Sequence, residues 1–236
     1  MTACAMGHEY AMDITEGQRN RLREAAARLD GIDTAAYESD GRDPWEPIIG
    51  LGPADAPVAL FGRDPGREEV RHGLPFIGAG GQLLRKGLYR HCHGSELPDF
   101  QASIQVGYGY FWANTVPYKP AGNKAWSMRA KRVFQPIVAE LLVHGWRGDH
   151  VITLGREAFM WFGINQSKAI RDALTAFWGR EDRFEASHVT ELADGSGASR
   201  SLVLHPLPHP SPLNATWYKH IPQLLASRLA ALEKAA

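Results

Sequence analysis

Three residues invite a chemical reading because of their surroundings: Asp64, Asn114 and His209. Asp64 lies in Gly62-Arg63-Asp64-Pro65-Gly66. An isolated Asp-Pro-Gly is a turn signature in which the Asp caps its own backbone. Here it opens a mostly polar stretch of 17 residues, 62–78, between an apolar run and a helical pattern. Such links usually take about 2–6 residues, and extra length in a compact domain points to function. Phe76 sits inside this polar stretch, as a hydrophobic anchor or as a platform for a planar ligand. Gly78-Ala79-Gly80-Gly81 then enters a helix start, a pattern that can form an anion nest. It lacks the Lys-Ser/Thr ending of a P-loop and the spacing of a dinucleotide fingerprint. Asn114 ends an apolar segment and is either a turn former or an amide aimed at a ligand. His205 and His209 share a stretch with four prolines, Pro206, Pro208, Pro210 and Pro212. A His locked between prolines suits an electrophile or a hydrogen-bond donor, with a plain surface role as the alternative.

Other chemistries lack their residues. There is no G-x-S-x-G, no H-E-x-x-H and no C-x-x-C. Two cysteines, Cys4 and Cys92, are too few for a disulfide framework or a four-cysteine metal or Fe–S site. The expectation is chemistry without metal or cofactor, carried by the carboxylate and the His, in a protein of the reducing cytoplasm.

These residues need a scaffold. Pro57–Phe61, His150–Leu154 and Ser201–Leu204 are short, continuous apolar runs, the pattern of strands buried on both faces. Tyr108–Ala113 is a fourth candidate, and 183–192 an added edge strand. Helical patterns cover 81–91, 125–143 with a break or kink at Pro136, 156–162 and 167–176. A last helix carries Trp217, Ile221, Leu224, Leu225, Leu229 and Leu232 on one face. Near the N-terminus, Thr15 and Gln18 fit a capping box before Leu22, Ala25, Ala26 and Leu29. Strands alternating with helices predict a three-layer α/β/α domain around a mainly parallel, four-stranded sheet. Right-handed crossovers place the strand C-termini on one edge, where ligands bind. The loops after Gly62, Asn114, Gly155 and His205 are therefore the ones to inspect.

The 236 residues carry 44% apolar and 22% charged side chains, normal for a globular chain. They read as one domain, residues 1–236, with an acidic helical segment over 1–50 packed on it or extending from it. No run approaches a membrane span, and MTACAMGHEYAMD has neither the basic start nor the apolar run of a signal peptide. Net charge is zero but unevenly spread: residues 1–69 hold 7 Lys/Arg against 14 Asp/Glu, and 70–236 hold 19 against 12. Phe100–Ala139, with five Lys/Arg, and Gly195–Leu232, with three, contain no acid. Such windows favour a polyanionic partner, or else they are a solvated face.

With these residues in view, the chain resembles the uracil-DNA glycosylase superfamily. Gly62-Arg63-Asp64-Pro65-Gly66 is similar to its water-activating motif. Gly73–Leu84 is similar to the segment that holds the base-stacking Phe in the Fe–S branch. His209-Pro-Ser-Pro-Leu-Asn214 resembles its third motif, and the motifs fall in family order over 58–214.

The resemblance implies that Asp64 activates water, Phe76 stacks on an extruded base, Asn114 reads its O4 and N3–H edge, and His209 stabilises the leaving base. Arg63 and Gly66 would line the substrate site, and Leu213 would fill the gap left in the base stack. Gly80, Gly81, Lys119, Ser211, Leu213 and Asn214 would contact DNA. The implied partner is uracil-containing DNA, single- or double-stranded. The implied enzyme is a monomeric, nucleoid-associated base-excision-repair hydrolase that leaves an abasic site.

The chain also departs from the family pattern. Two cysteines cannot hold the Fe–S cluster, so no cofactor is expected. One branch has a Tyr where this chain has Gly66, and Gln where it has Arg63; that Tyr blocks the thymine methyl. No basic, His-containing insertion of the DNA-trapping subgroup stands near 119–132. Three alternatives stay open: a glycosylase with a wider range of deaminated bases, such as hypoxanthine or xanthine; a weakly catalytic binder of damaged or single-stranded DNA; and an unrelated nucleotide-binding α/β domain, since a Gly-rich turn at a helix start serves many ligands.

Overall fold

The computed structural model describes residues 13–49 and 52–235. Helix α1 (Glu16–Ala27) starts at the predicted capping box: Thr15 Oγ1 accepts from Gln18 N–H at 3.2 Å and Thr15 N–H donates to Gln18 Oε1 at 2.8 Å. Only Leu22 and Ala26 of this polar helix are buried. A short helix α2 (Thr34–Ser39) follows, capped by Asp33. These two helices are what the described part of the acidic segment forms, and both rest on the core through buried side chains. Residues 1–12 and 50 of that segment lie outside the described residues.

Strand β1 (Val58–Gly62) is buried at every position, as a continuous apolar run predicts. The polar stretch after it folds a short helix α3 (Arg67–His72) that periodicity did not reveal, then enters α4 (Ala79–His93). Helix α5 (Phe100–Gly107), capped by Asp99, was also unforeseen. Its mix of polar and small residues over two turns gives little period to read. Strand β2 (Phe111–Asn114) starts later than predicted and ends on Asn114.

Helix α6 (Met128–Glu140) contains Pro136 and runs on into a wider turn, Leu141–Gly145, without breaking. Proline at 136 removes the N–H that would bond the Arg132 carbonyl; Asn165 Nδ2 donates to that carbonyl instead, at 3.1 Å. Strand β3 (His150–Leu154), helices α7 (Arg156–Trp161) and α8 (Lys168–Trp178), strands β4 (His188–Ala193) and β5 (Ser199–Leu207), and helices α9 (Ala215–Tyr218) and α10 (Ile221–Ala235) complete the chain.

The sheet has five strands rather than four, in the order β2-β1-β3-β5-β4. The first four are parallel, and β4 pairs antiparallel with β5 at the edge. The count of four omitted β4, whose alternating polar and apolar residues suit an edge strand with one buried face. Side chains of β1 alternate between two cores. Ala59 and Phe61 pack with α1, α6, α7 and α8, while Val58 and Leu60 pack with α4, α5 and α10. This is the three-layer α/β/α arrangement. No described helix is long and apolar enough to cross a membrane.

Register brings the strand ends together: Gly62 pairs with Asn114, Phe61 with Thr153, and Leu154 with Leu207. Because β1 leads to β2 on one side and to β3 on the other, the sheet has a switch point at this edge, and a crevice opens there.

Candidate active site

The crevice is a cavity of about 210 Å³ whose walls include Gly62, Asp64, Phe76, Asn114, Leu154 and His209. A wider groove of about 440 Å³ shares the Asp64 and His209 walls and extends to Arg67, Pro120 and Leu213. Three loops, predicted from strand ends alone, thus meet at one place.

Asp64 is held at the end of β1 with its side chain 3% exposed. Thr115 Oγ1 donates to Asp64 Oδ1 at 2.9 Å, and Oδ2 is buried without a hydrogen-bond partner among the described residues. Burial pushes the carboxyl up to about 6; the Thr115 bond and the positive charges of Arg63 and Lys131 only partly oppose it. A carboxylate with this value is poised to take a proton near neutral pH. Thr115 was not among the predicted site residues. Its signal was a hydroxyl directly after the candidate amide.

Asn114 is 4% exposed, and its Nδ2 donates to the Arg63 carbonyl. That bond fixes the amide orientation and leaves Oδ1 buried without a hydrogen-bond partner among the described residues.

His209 approaches the end of β3 closely. Gly155 has φ +93°, and a Cβ there would lie 2.8 Å from His209 Cβ. A side chain at 155 would displace the imidazole. Burial first, then the Arg63 charge, lowers the His209 pKa, so the ring is neutral at neutral pH. Its Nδ1 is buried, and the ring meets the Leu154 backbone. His205 does not join it. β5 continues through 205, and the ring is buried between His150 Nδ1 at 2.9 Å and Ser187 Oγ at 2.8 Å. The loop thus begins three residues later than its apolar pattern suggested.

Phe76 holds a left-handed backbone, φ +54°, which is rare for an aromatic residue and marks a constrained position. Arg85, 5% exposed on α4, donates through Nε to the Phe76 carbonyl at 2.8 Å and also to the Pro75 and Ser103 carbonyls. Its guanidinium lies 4.7 Å from the centre of the Trp112 ring, and Trp112 packs 5.0 Å from Phe76. Burial lowers Arg85 to about 10, so it stays cationic.

The glycine run serves packing as much as anion binding. A Cβ at Gly80 would sit 2.0 Å from the Pro210 carbonyl oxygen, and one at Gly81 equally close to that of Phe76. The nest already holds an anion: Glu69 Oε1 accepts from Ile77 and Gly78 N–H at 2.8 and 2.7 Å, and Oε2 from Gly66 N–H at 2.9 Å. A side chain at Gly66 would meet that carboxylate at 2.8 Å.

A row of charges leads away from the site. Arg63 NH2 lies 3.8 Å from Asp64 Oδ2, and Arg63 Nε 3.7 Å from Glu157 Oε2. Lys131 Nζ bonds the same Glu157 oxygen at 2.6 Å. Burial alone would raise Glu157, but the Lys131 bond and the two cations together hold it below the usual range.

The turn 209–214 is internally bonded. Asn214 Nδ2 donates to the His209 carbonyl at 3.1 Å and Ser211 Oγ accepts from Leu213 N–H at 3.3 Å, which leaves Leu213 96% exposed at its tip.

Lys119 corrects the expectation of a DNA contact. It is 4% exposed, and its Nζ donates to Asp33 Oδ2 at 2.6 Å and to the Pro120 carbonyl at 3.1 Å. The acid-free windows are likewise not one free cationic face. Lys131 is paired, Arg200 caps the Leu142, Arg147 and Gly148 carbonyls, and Arg228 binds the Phe184 and Ala186 carbonyls. Lys124, Arg129, Arg132 and Lys219 remain exposed.

Among the described residues, no three His, Cys, Asp or Glu side chains converge as a metal site. The search of curated proteins finds no match. A family model described as the uracil DNA glycosylase superfamily matches residues 49–233, and every loop of the site falls inside that span. By that match the chain belongs to the uracil DNA glycosylase superfamily.

Proposed function

We propose that the protein hydrolyses the N-glycosidic bond of uracil in DNA and leaves an abasic site. The observation that carries this reading is that Asp64, Asn114 and His209 line one cavity walled by Phe76, with Asp64 Oδ2 and Asn114 Oδ1 buried and without a hydrogen-bond partner among the described residues. An enzyme acting on a base must take it out of the stack. Phe76 stacks on the extruded ring. Asn114 accepts from N3–H through Oδ1, and the second N–H of its amide donates to O4. Asp64 takes a proton from water as the water oxygen bonds to C1′ and the C1′–N1 bond breaks. The bonding pair leaves on the base, where negative charge gathers at O2. The neutral His209 ring donates toward that oxygen, an interaction that strengthens only as charge develops. Leu213 inserts where the base has left the stack.

The test is a single-turnover comparison on oligonucleotides carrying one uracil, hypoxanthine, xanthine or thymine, with Asp64→Asn as control. Uracil release that depends on Asp64 supports the reading. Equal release of hypoxanthine or xanthine would replace it with a broader deaminated-base glycosylase. DNA binding without release would replace it with a binding protein.

A further inference from the structure

We propose that residues 31–42, which precede the region matched by the family model, form a strap that holds two loops of the site in register, and that Asp33 is a positioning residue within it. The inference rests on the glycosylase reading and adds a part to it.

The two loops are those that follow β1 and β2. At the cavity they are joined from within: Thr115 Oγ1 bonds Asp64 and Asn114 Nδ2 bonds the Arg63 carbonyl. At their far ends they diverge, one into α3 and the other into 117–121. The strap connects those far ends. On the β2 side, Ile32 forms an antiparallel bridge with Pro120. Asp33 N–H donates to the Lys119 carbonyl at 3.0 Å, and Ala121 N–H to the Gly31 carbonyl at 2.7 Å. The Asp33 carboxylate takes Lys119 Nζ at 2.6 Å, while Tyr37 Oη accepts Lys119 N–H at 3.1 Å. On the α3 side, Arg67 NH2 donates to Ser39 Oγ at 2.8 Å and lies 3.2 Å from Asp40 Oδ2. Arg42 donates to the Arg71 carbonyl through Nε at 3.2 Å and NH2 at 3.1 Å.

Arg67 and Pro120 are walls of the 440 Å³ groove that runs into the cavity. The strap grips both walls, so its geometry sets how far apart they stand. It also explains its own acidity. Asp33 and Asp40 meet cations, Lys119 and Arg67, that belong to the loops they hold. Lys119 is four residues beyond Thr115, so a displaced Lys119 loosens the hydroxyl that orients Asp64. Misplacing a catalytic group by about 1 Å can lower a rate by about 10²-fold.

The experiment combines Asp33→Ala, Asp33→Asn and Thr115→Val in the full chain. Hydrogen exchange at the Thr115 and Lys119 amides provides a readout that needs no activity. Asn at 33 keeps an acceptor for the Ala36 N–H and for Lys119, so it serves as the rescue variant and guards against simple misfolding. Asp33→Ala is expected to lower kcat about 10-fold for folded enzyme and to speed exchange at both amides, whereas Asp33→Asn stays within about 3-fold of the parent. In a Thr115→Val background Asp33→Ala should add less than about 2-fold, because both act through one contact. Multiplying effects on kcat, or unchanged amide protection in Asp33→Ala, would overturn the strap. A parent that releases no uracil while the exchange result holds would overturn the glycosylase reading and leave the strap standing.

Discussion

Thr115 Oγ1 donates a 2.9 Å hydrogen bond to Asp64 Oδ1 and leaves Oδ2 buried without a hydrogen-bond partner among the described residues. In the proposed mechanism one oxygen orients the carboxylate and the other receives a proton. Burial pushes the Asp64 carboxyl up to about 6, and the proposed base works only when ionised. The single-turnover rate should therefore rise about tenfold per pH unit below 6 and level off above it. Thr115→Val removes a bond that favours the charged form, so its acid limb should move to higher pH. A pH–rate profile of both proteins checks this; a limb near pH 4 in the parent would assign the proton transfer to another group.

Stability should carry the opposite imprint of the same residue. The folded protein holds the Asp64 proton more tightly than the unfolded chain, whose carboxyl keeps the ordinary value of 3.8. Stability from this group is therefore present at low pH and is lost as pH rises from about 4 through about 6. The rise to about 6 corresponds to up to about 3 kcal/mol. Asp64→Asn, which cannot ionise, should raise the thermal midpoint at pH 7.5 and lose that advantage near pH 4. The same substitution should lower kcat by about 10²-fold or more. Thermal melts at the two pH values, paired with kinetics, test both halves; a destabilised Asp64→Asn at pH 7.5 would contradict the stored desolvation.

Base choice should reside in Asn114, because its amide is oriented by the Arg63 carbonyl. Uracil meets that amide with an acceptor at O4 and a donor at N3–H, whereas cytosine presents the reverse. Sites built on such pairing reject the mismatched partner by about 10⁴-fold. Asn114→Asp replaces the amide donor with an oxygen that accepts from cytosine N4, and its protonated form donates to cytosine N3. Uracil excision should be lost and slow cytosine excision gained, measured on matched oligonucleotides. Uracil excision at the parental rate would show that Asn114 is not the reader.

Salt dependence should separate the exposed cations from the paired ones. Lys124, Arg129 and Arg132 are exposed, whereas Lys119 and Lys131 are committed to Asp33 and Glu157. DNA binding should weaken steeply with salt, and each Ala substitution at 124, 129 or 132 that removes a phosphate contact should lower the slope by about one. Lys131→Ala should instead act on kcat, through the freed Glu157 beside Arg63. Titrations of affinity against salt check this, and identical slopes in all variants would leave α6 outside the interface.

Much of this arrangement is legible in the sequence. Val58–Gly62 and His150–Leu154 read as buried parallel strands because both faces are covered, and that placed Asp64, Asn114 and His209 at one edge. What escaped was whatever depends on tertiary neighbours. Lys119 looked like a phosphate contact because nothing local marks it as buried; its partner, Asp33, is 86 residues away. Nothing local marks Glu69 either, yet three backbone N–H groups make it the anion of the nest at 66–78. Arg85 had no signal at all, since its three carbonyl partners appear only when α4 packs against the Phe76 turn. His205 was misplaced by a proline-rich sequence in which β5 runs through Pro206 to Leu207.

Excision itself is the most direct test. Single- and double-stranded oligonucleotides with one internal uracil are incubated with the purified protein and then treated with alkali, which cuts only where an abasic site has formed. Glycosidic hydrolysis by Asp64 predicts one cleavage product at the uracil position, free uracil in matching amount, no strand cleavage before alkali, and neither product with Asp64→Asn. Intact strands after alkali on both substrates, with protein that is folded and binds them, would contradict it.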